Sequence, residues 1–395
     1  MMLNFQFCFP TQVIFGAGEF AKLGDEVAKY GHRALLVEQP GPLEKNGLFA
    51  RGVHLMEQTG VAVCELSGVE SNPRLTKIEE GIRLVRDNAL EVIVAIGGGS
   101  TIDTAKAIAL GAADPTGGDV WDFFAGVRPV EQTLPVVAVS TISATGAETS
   151  CHCVVTNNRA SDHTAWKKWA VHNTVLCPKT AIIDPELLVS VPARLTAGGM
   201  ADTISHIIEG YFDGVDGNPI SDAIGEGIVR TVLESDGVLE HPEDVNLRAQ
   251  IAWASTLAMG GIQDCGRLNA GWPAHWIQHA IGALTDSSHG EGLAVINPAW
   301  LDFINAENPK KFVQFTERIF GLERPQGMTD VEYGQMGLDE LRNRFRAWGL
   351  PTCLQELGVT RDMFPVIIES ILHNNESFQF TRDQIERVLE RCYGS

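Results

Sequence analysis

The β-branched runs of this 395-residue chain stop near Val191, and everything after them reads as helix. Before that point, Arg33–Val37, Val61–Leu66, Glu91–Ile96, Leu134–Val139 and Thr180–Ile183 have the length and composition of strands, several of them apolar on both faces. Helical periodicity fills Pro73–Asn88 and Thr101–Leu110 between them. Doubly buried strands separated by helices form a parallel sheet with helices on its faces. Beyond Val191, helical patterns run through 196–211, 220–239, 246–262, 273–284, 310–320, 333–348, 361–372 and 381–390, punctuated by Gly and Pro. The pattern predicts an α/β domain over residues 1–188 and an all-α domain over 189–395, since a chain this long exceeds one ordinary core.

The helical half carries the metal chemistry. Asp202 and His206 lie four apart in AGGMADTISHIIEGY, so a helix presents them from one face. His275, His279 and His289 come from GWPAHWIQHAIGALTDSSHGEGL. There His275 opens a helical stretch, His279 follows one turn later, and His289 is expected in a polar loop before Gly290. Asp202 and His206 alone would read as an ordinary surface pair. Together with His275 and His289 they offer one carboxylate and three imidazoles, a donor set for one catalytic divalent ion. That set does not by itself choose between iron, zinc, manganese, cobalt and nickel. His279 has the pKa range to pass a substrate proton, or it packs beside the site and bonds a ligand.

The α/β half carries a nucleotide signal. In EVIVAIGGGSTIDTAKAIAL an apolar strand runs into Gly97, Gly98, Gly99 and Ser100 and then into a helix. This is a turn where the backbone can approach a diphosphate and helix-start amides can receive it, although a tight turn without ligand uses glycine too. Asp103, expected on the first helical turn, either favours the positive helix end or orients the loop and a ribose. In VSTISATGAE the hydroxyls of Thr141, Ser143 and Thr145 are candidates for a carboxamide or ribose, or for backbone capping. Glu38, ending RALLVE, would accept from an adenosine ribose and repel a 2'-phosphate, which inclines the cofactor towards NAD over NADP. A solvated surface glutamate would read the same way.

Fifty acidic against thirty basic residues give a formal charge of -20, which repels phosphate backbones and argues against nucleic acid as a partner. No apolar run is long enough to span a membrane, and MMLNFQFCFPTQ does not read as a secretory signal, so a cytoplasmic protein is expected. Eight scattered cysteines read as reduced thiols rather than a disulfide framework or a second metal site, and Cys151 and Cys153 as buried, inert thiols or, alternatively, as an oxidation-sensitive site.

The chain resembles the iron-containing alcohol dehydrogenase family, particularly its butanol-dehydrogenase-like branch. The motifs that carry the likeness are FPTQVIFGAG at 9–18, KNG at 45–47, GGGSTIDTAK at 97–106, TGAE at 145–148, AIIDPELL at 181–188, GGMADTISHIIE at 198–209, the stretch from His275 to Gly290, and WGLPTCLQELGV at 348–359. The resemblance implies a Rossmann-like domain followed by a helical domain, the dehydroquinate synthase-like fold, with metal and nicotinamide meeting in the cleft between them. It implies iron on Asp202, His206, His275 and His289, a pocket role for His279, and Lys168 near the cofactor. The chain departs from many relatives at Gln39-Pro40-Gly41-Pro42, where a glycine-serine tract is usual. Two prolines there remove amide donors, so NAD or NADP is not carried across.

The expected activity is hydride transfer between NAD(P)(H) and a small alcohol or aldehyde, with short-chain primary substrates suggested by the apolar Trp272 and Trp276, with Trp166 and Trp169 as further candidates, although all four would equally serve as interdomain core. A homodimer is expected, with Gln12–Phe15 as an edge strand able to pair across it. The competing readings are a glycerol-type polyol dehydrogenase or a dehydroquinate-synthase-like lyase on the same plan, a nucleotide- and metal-binding protein without catalysis, and a purely structural protein.

Overall fold

The computed structural model describes residues 2–214, 217–268, 271–373 and 380–394. It divides into two compact units, one of residues 8–191 with 242–252, the other of residues 1–7, 192–241 and 253–395.

The first unit is built on a six-stranded sheet. Its strands are β1 (Gln12–Phe15), β2 (Arg33–Glu38), β3 (Ala62–Leu66), β4 (Val92–Gly97), β5 (Val136–Ser140) and β8 (Thr180–Ile183), in the order β1-β8-β5-β4-β2-β3. Every neighbouring pair in it is parallel. Strand residues alternate between two cores, as a period of two requires. Leu35, Val37, Ile93 and Ala95 face the helices Leu75–Asp87 and Gly99–Ala113, and Ala34, Leu36, Val92, Val94 and Ile96 face Leu23–Ala28 and Leu48–Gln58. The near-continuous apolar runs in the sequence therefore come from burial on both faces.

The sheet order reverses at β2, which pairs with β3 on one side and β4 on the other. Such reversals open a crevice at the carboxyl ends of the strands, where doubly wound sheets hold ligands. Glu38 and Gly97 end those two strands, and Ser140 ends the next.

An antiparallel hairpin of β6 (His152–Asn157) and β7 (Lys167–His172) was not foreseen from sequence. It is short, and Thr156, Lys167 and Lys168 break its apolar pattern. A bridge from Arg74 to Thr156 and a bond from the Thr156 amide to the Pro73 carbonyl, at 2.7 Å, attach it to the start of helix Leu75–Asp87.

The second unit contains no strand among its described residues, and none of its described helices is long and apolar enough to cross a membrane. Helix Ala193–Tyr211 is buried along nearly its whole length. It packs against His289–Ile304 and, less extensively, Pro273–Thr285. The expected polar loop at His289 is instead the first residue of that helix, and the apolar stretch LAVINPAWL continues it. Pro298 lies inside it, a breaker in sequence that the structure accommodates.

Candidate metal centre and nucleotide crevice

Three helices of the second unit bring the donors together. Asp202 and His206 project from successive turns of Ala193–Tyr211, His275 from the first turn of Pro273–Thr285, and His289 from the start of His289–Ile304. The last approach depends on glycine. A Cβ at position 290 would stand 2.0 Å from the Gly198 carbonyl oxygen, so the backbones touch where His289 enters.

Oδ1 of Asp202 lies 3.4 Å from His206 Nε2, 3.6 Å from His275 Nε2 and 3.5 Å from His289 Nε2. Tetrahedral coordination with bonds of about 2.0–2.2 Å separates donor atoms by about 3.3–3.6 Å. The Asp202 carboxylate is buried, and neither its Oδ1 nor His275 Nε2 has a hydrogen-bond partner among the described residues. Buried, unsatisfied donors at coordination spacing fit a divalent cation. Asp202, His275 and His289 thus form a metal-binding site, with His206 at the same spacing.

The surrounding groups fix the imidazoles. His275 Nδ1 donates to Glu209 Oε1 at 2.5 Å, and Glu209 also accepts from Ser205 Oγ and the Ala274 amide, both at 2.9 Å. His289 Nδ1 donates to Gln278 Oε1. Each contact leaves Nε2 facing Asp202, the arrangement by which outer groups set the tautomer of a ligating histidine. Sequence reading missed both. Glu209, seven after Asp202 and three after His206, carried a signal in that spacing, whereas Gln278 carried none.

Burial depresses the His206 imidazole to about 4 despite Asp202. Burial also acts to depress His275, but the Glu209 and Asp202 carboxylates outweigh it and lift the ring to about 9. His279 stands between the rings of Trp276, His275 and His289, at centroid distances of 5.7, 6.3 and 5.6 Å. Trp272, in a left-handed conformation at φ 54°, meets His275 edge-on at 5.1 Å and forms the other apolar wall.

In the first unit, the nucleotide candidates line up along adjacent strand ends. Glu38 pairs in register with Ile96, and Gly97 with Ser140, so Glu38, the glycine turn and the segment from Thr141 are neighbours. The amides of Thr101 and Ile102 bond the Gly98 carbonyl at 3.0 and 3.1 Å, while those of Gly99 and Ser100 head the helix. Oγ1 of Thr141 and Oγ of Ser143 are buried and have no partner among the described residues, and the Thr145 hydroxyl accepts from the Ala147 amide at 3.3 Å. Packing within the protein explains two of the glycines. A Cβ at Gly97 would meet Thr101 Oγ1 at 2.2 Å, and one at Gly99 would meet Thr145 Oγ1 at 2.5 Å.

Lys168 is buried on β7 and donates to Asn72 Oδ1 at 2.8 Å. The Asn72 amide in turn donates to Ser100 Oγ at 3.2 Å, a link to the glycine turn with no sequence signal. Glu38 is buried rather than solvated, and burial followed by repulsion from Glu65 raises its carboxyl to about 7. Asp103 is not on the first turn, because the helix starts at Gly99. Its carboxylate accepts from the Val154 amide at 3.0 Å and anchors the hairpin.

Trp166 and Trp169 have partners within their own unit. Trp166 stacks on His163 and donates to the Ala160 carbonyl, and Trp169 stacks on Trp121. Cys153 is buried, its thiol pushed well above the ordinary range by burial. Cys151 differs from expectation. It is half-buried, and a hydrogen bond from Cys177 followed by one from His172 holds its thiol below the usual range.

Comparison with known proteins agrees with both halves. The family model described as iron-containing alcohol dehydrogenase matches residues 10–185, and that of the Fe-containing alcohol dehydrogenase family C-terminal region matches 196–393. The chain is 34% identical over 376 residues to NADH-dependent butanol dehydrogenase A of Clostridium acetobutylicum, covering 95% of this chain and 94% of that one. It is 28% identical over 397 residues to an NADPH-dependent aldehyde reductase of Escherichia coli, covering 98% and 99%. The crystal structure of an NADH-dependent butanol dehydrogenase A from Thermotoga maritima superposes with a TM-score of 0.93 at 33% identity, covering 100% of this chain and 99% of that one. The chain belongs to the iron-containing alcohol dehydrogenase family and is a metal-dependent, NAD(P)-linked oxidoreductase of alcohols and aldehydes.

Proposed function

We propose that this chain interconverts short-chain primary alcohols and aldehydes, with NAD(H) as its preferred cofactor and iron as its metal. The observation that carries the reading is the convergence of His206, His275 and His289 Nε2 on one buried oxygen of Asp202. Those four residues hold the ion. When bound, the divalent ion supplies a Lewis acid for the substrate oxygen, and the nicotinamide supplies the acceptor or donor of hydride.

The protein's own groups do the rest. Trp272 and Trp276 exclude water and favour an alkyl chain, and residues 271–289 contain no Lys or Arg to attract a phosphorylated substrate. His279 holds the hydroxyl proton and passes it on. Gly97, Gly98, Gly99 and Ser100 receive the diphosphate, Thr141, Ser143 and Thr145 bond the carboxamide or ribose, and Lys168 and Asp103 steady that loop through Asn72 and the hairpin. Glu38 takes the adenosine ribose, which supports NAD. The names of the relatives divide between NADH and NADPH, so the cofactor preference rests on Glu38. The edge position of β1 supports a homodimer paired through Gln12–Phe15.

The test is butanal reduction with NADH and NADPH in parallel, on metal-stripped protein and after reloading with iron or zinc. Metal-dependent NADH oxidation in proportion to butanal is expected, and it separates a dehydrogenase from a lyase that regenerates its cofactor. No turnover of butanal with any pairing would overturn the substrate reading. The His279→Ala variant is expected to lose roughly 100-fold in turnover with its metal content kept, as for loss of a general acid-base group. Parallel loss of both would make His279 structural.

A further inference from the structure

A second cluster of side chains able to hold a metal ion lies in the first unit, at the open end of the β6–β7 hairpin. Cys151 immediately precedes β6, His152 opens that strand, and His172 closes β7. The antiparallel register pairs His152 directly with His172, so both side chains leave the same face. Their ring centroids are 4.5 Å apart. Cys151 Sγ lies 3.0 Å from His172 Nε2, and the sulfur and one nitrogen of each histidine all fall within 4.8 Å of one another.

Cys151 is a free cysteine and supplies the one sulfur of the cluster. The main chain around the cluster is fixed. Lys106 Nζ donates to the Ser150 and His152 carbonyls at 2.9 Å each, the Asn173 amide donates to the Cys151 carbonyl at 3.0 Å, and Ser150 Oγ contacts His152 Nδ1 at 3.3 Å. One sulfur and two imidazoles supply three of the four donors of a tetrahedral zinc site and leave the fourth position to solvent.

We propose that Cys151, His152 and His172 form a binding site for a thiophilic divalent cation of the zinc type, distinct in its residues from the Asp202 centre. The Cys151 thiolate offsets part of the ion's charge, and the Lys106 ammonium is engaged by the Ser150 and His152 carbonyls. The Asp202 centre has no sulfur donor, and the two sites therefore differ in the cations they prefer. A cation here cross-links the end of the hairpin that the Asp103 carboxylate anchors.

Cobalt is the probe, because a tetrahedral thiolate site gives a thiolate-to-cobalt charge-transfer band that a carboxylate-imidazole site does not. Reduced, iron-loaded enzyme titrated with cobalt is expected to develop that band with one further equivalent, and zinc is expected to displace it. The Cys151→Ser variant should lose the band, whereas His275→Ala should keep it, so failure of the dehydrogenase metal assignment would show separately. No band in the wild type after reduction, or an unchanged band in Cys151→Ser, would overturn the site. The exposed His172 provides a second variant that leaves the core untouched. Zinc should raise the Tm of the wild type but not of His172→Asn, and equal shifts in both would also overturn the proposal.

Discussion

The metal centre and the nucleotide crevice are specified in opposite ways. At the metal centre, particular side chains from three helices converge, and two of the facing atoms, Asp202 Oδ1 and His275 Nε2, are buried with no hydrogen-bond partner among the described residues. At the crevice, strand ends and a turn without side chains do the positioning, and two of the three glycines are already required by Thr101 and Thr145. A donor set thus announces its ligand by chemical incompleteness. A glycine turn does not, because the protein's own packing accounts for most of it.

If that contrast holds, changes at one region leave the other intact. The largest effect is expected from His275→Ala, with roughly 100- to 1,000-fold lower turnover and loss of bound metal, while dinucleotide affinity is retained. Metal analysis beside a cofactor titration checks it, and retained metal with normal activity would break the ligand assignment. The Glu209→Gln variant keeps every ligand but weakens the acceptor at His275 Nδ1. Its metal affinity should fall about 10- to 100-fold, as for loss of an outer-sphere partner, measured by competition with a chelator.

On the crevice side, Gly98→Val is expected to weaken dinucleotide binding roughly tenfold, about 1.4 kcal/mol, with metal content unchanged. A Cβ at Gly98 lies 3.0 Å from Ile142 Cδ1, closer than ordinary contact but against a side chain that can yield, so a pure folding defect is not expected. Unchanged affinity would remove the turn from the site. The smallest effect concerns Glu38, raised to about 7. Below that pH the carboxyl is neutral and tolerates a 2'-phosphate, and above it the anion repels one. The preference for NADH over NADPH should therefore grow severalfold as pH rises through 7, and Glu38→Gln should flatten the profile. A flat wild-type profile would detach Glu38 from the ribose.

The sheet was legible because apolar runs of strand length have few other homes, and the five strands foreseen in residues 33–183 lie within a residue or two of their expected limits at most ends. The hairpin was not legible, because its stability comes from anchors supplied elsewhere in the chain, at Pro73, Asp103 and Lys106. His289 was placed in a loop because Asp286, Ser287 and Ser288 are polar, yet such residues also precede helices, and Ser288 is the N-cap here. The metal donors could be listed from sequence, since spacing and residue type carry that information. Gln278 and Asn72 could not, because each matters only through a partner that the fold brings near.

The contact between Gly290 and the Gly198 carbonyl has a mechanical meaning. Where two helices meet backbone to backbone there is no rotamer to adjust, so the contact acts as a hard stop against further approach. Ions of different radius must then be accommodated by torsions of the imidazoles rather than by closing the helices. One wall of the cage is stiff, and the tolerance of the centre for metal substitution is set by the freedom left to three rings.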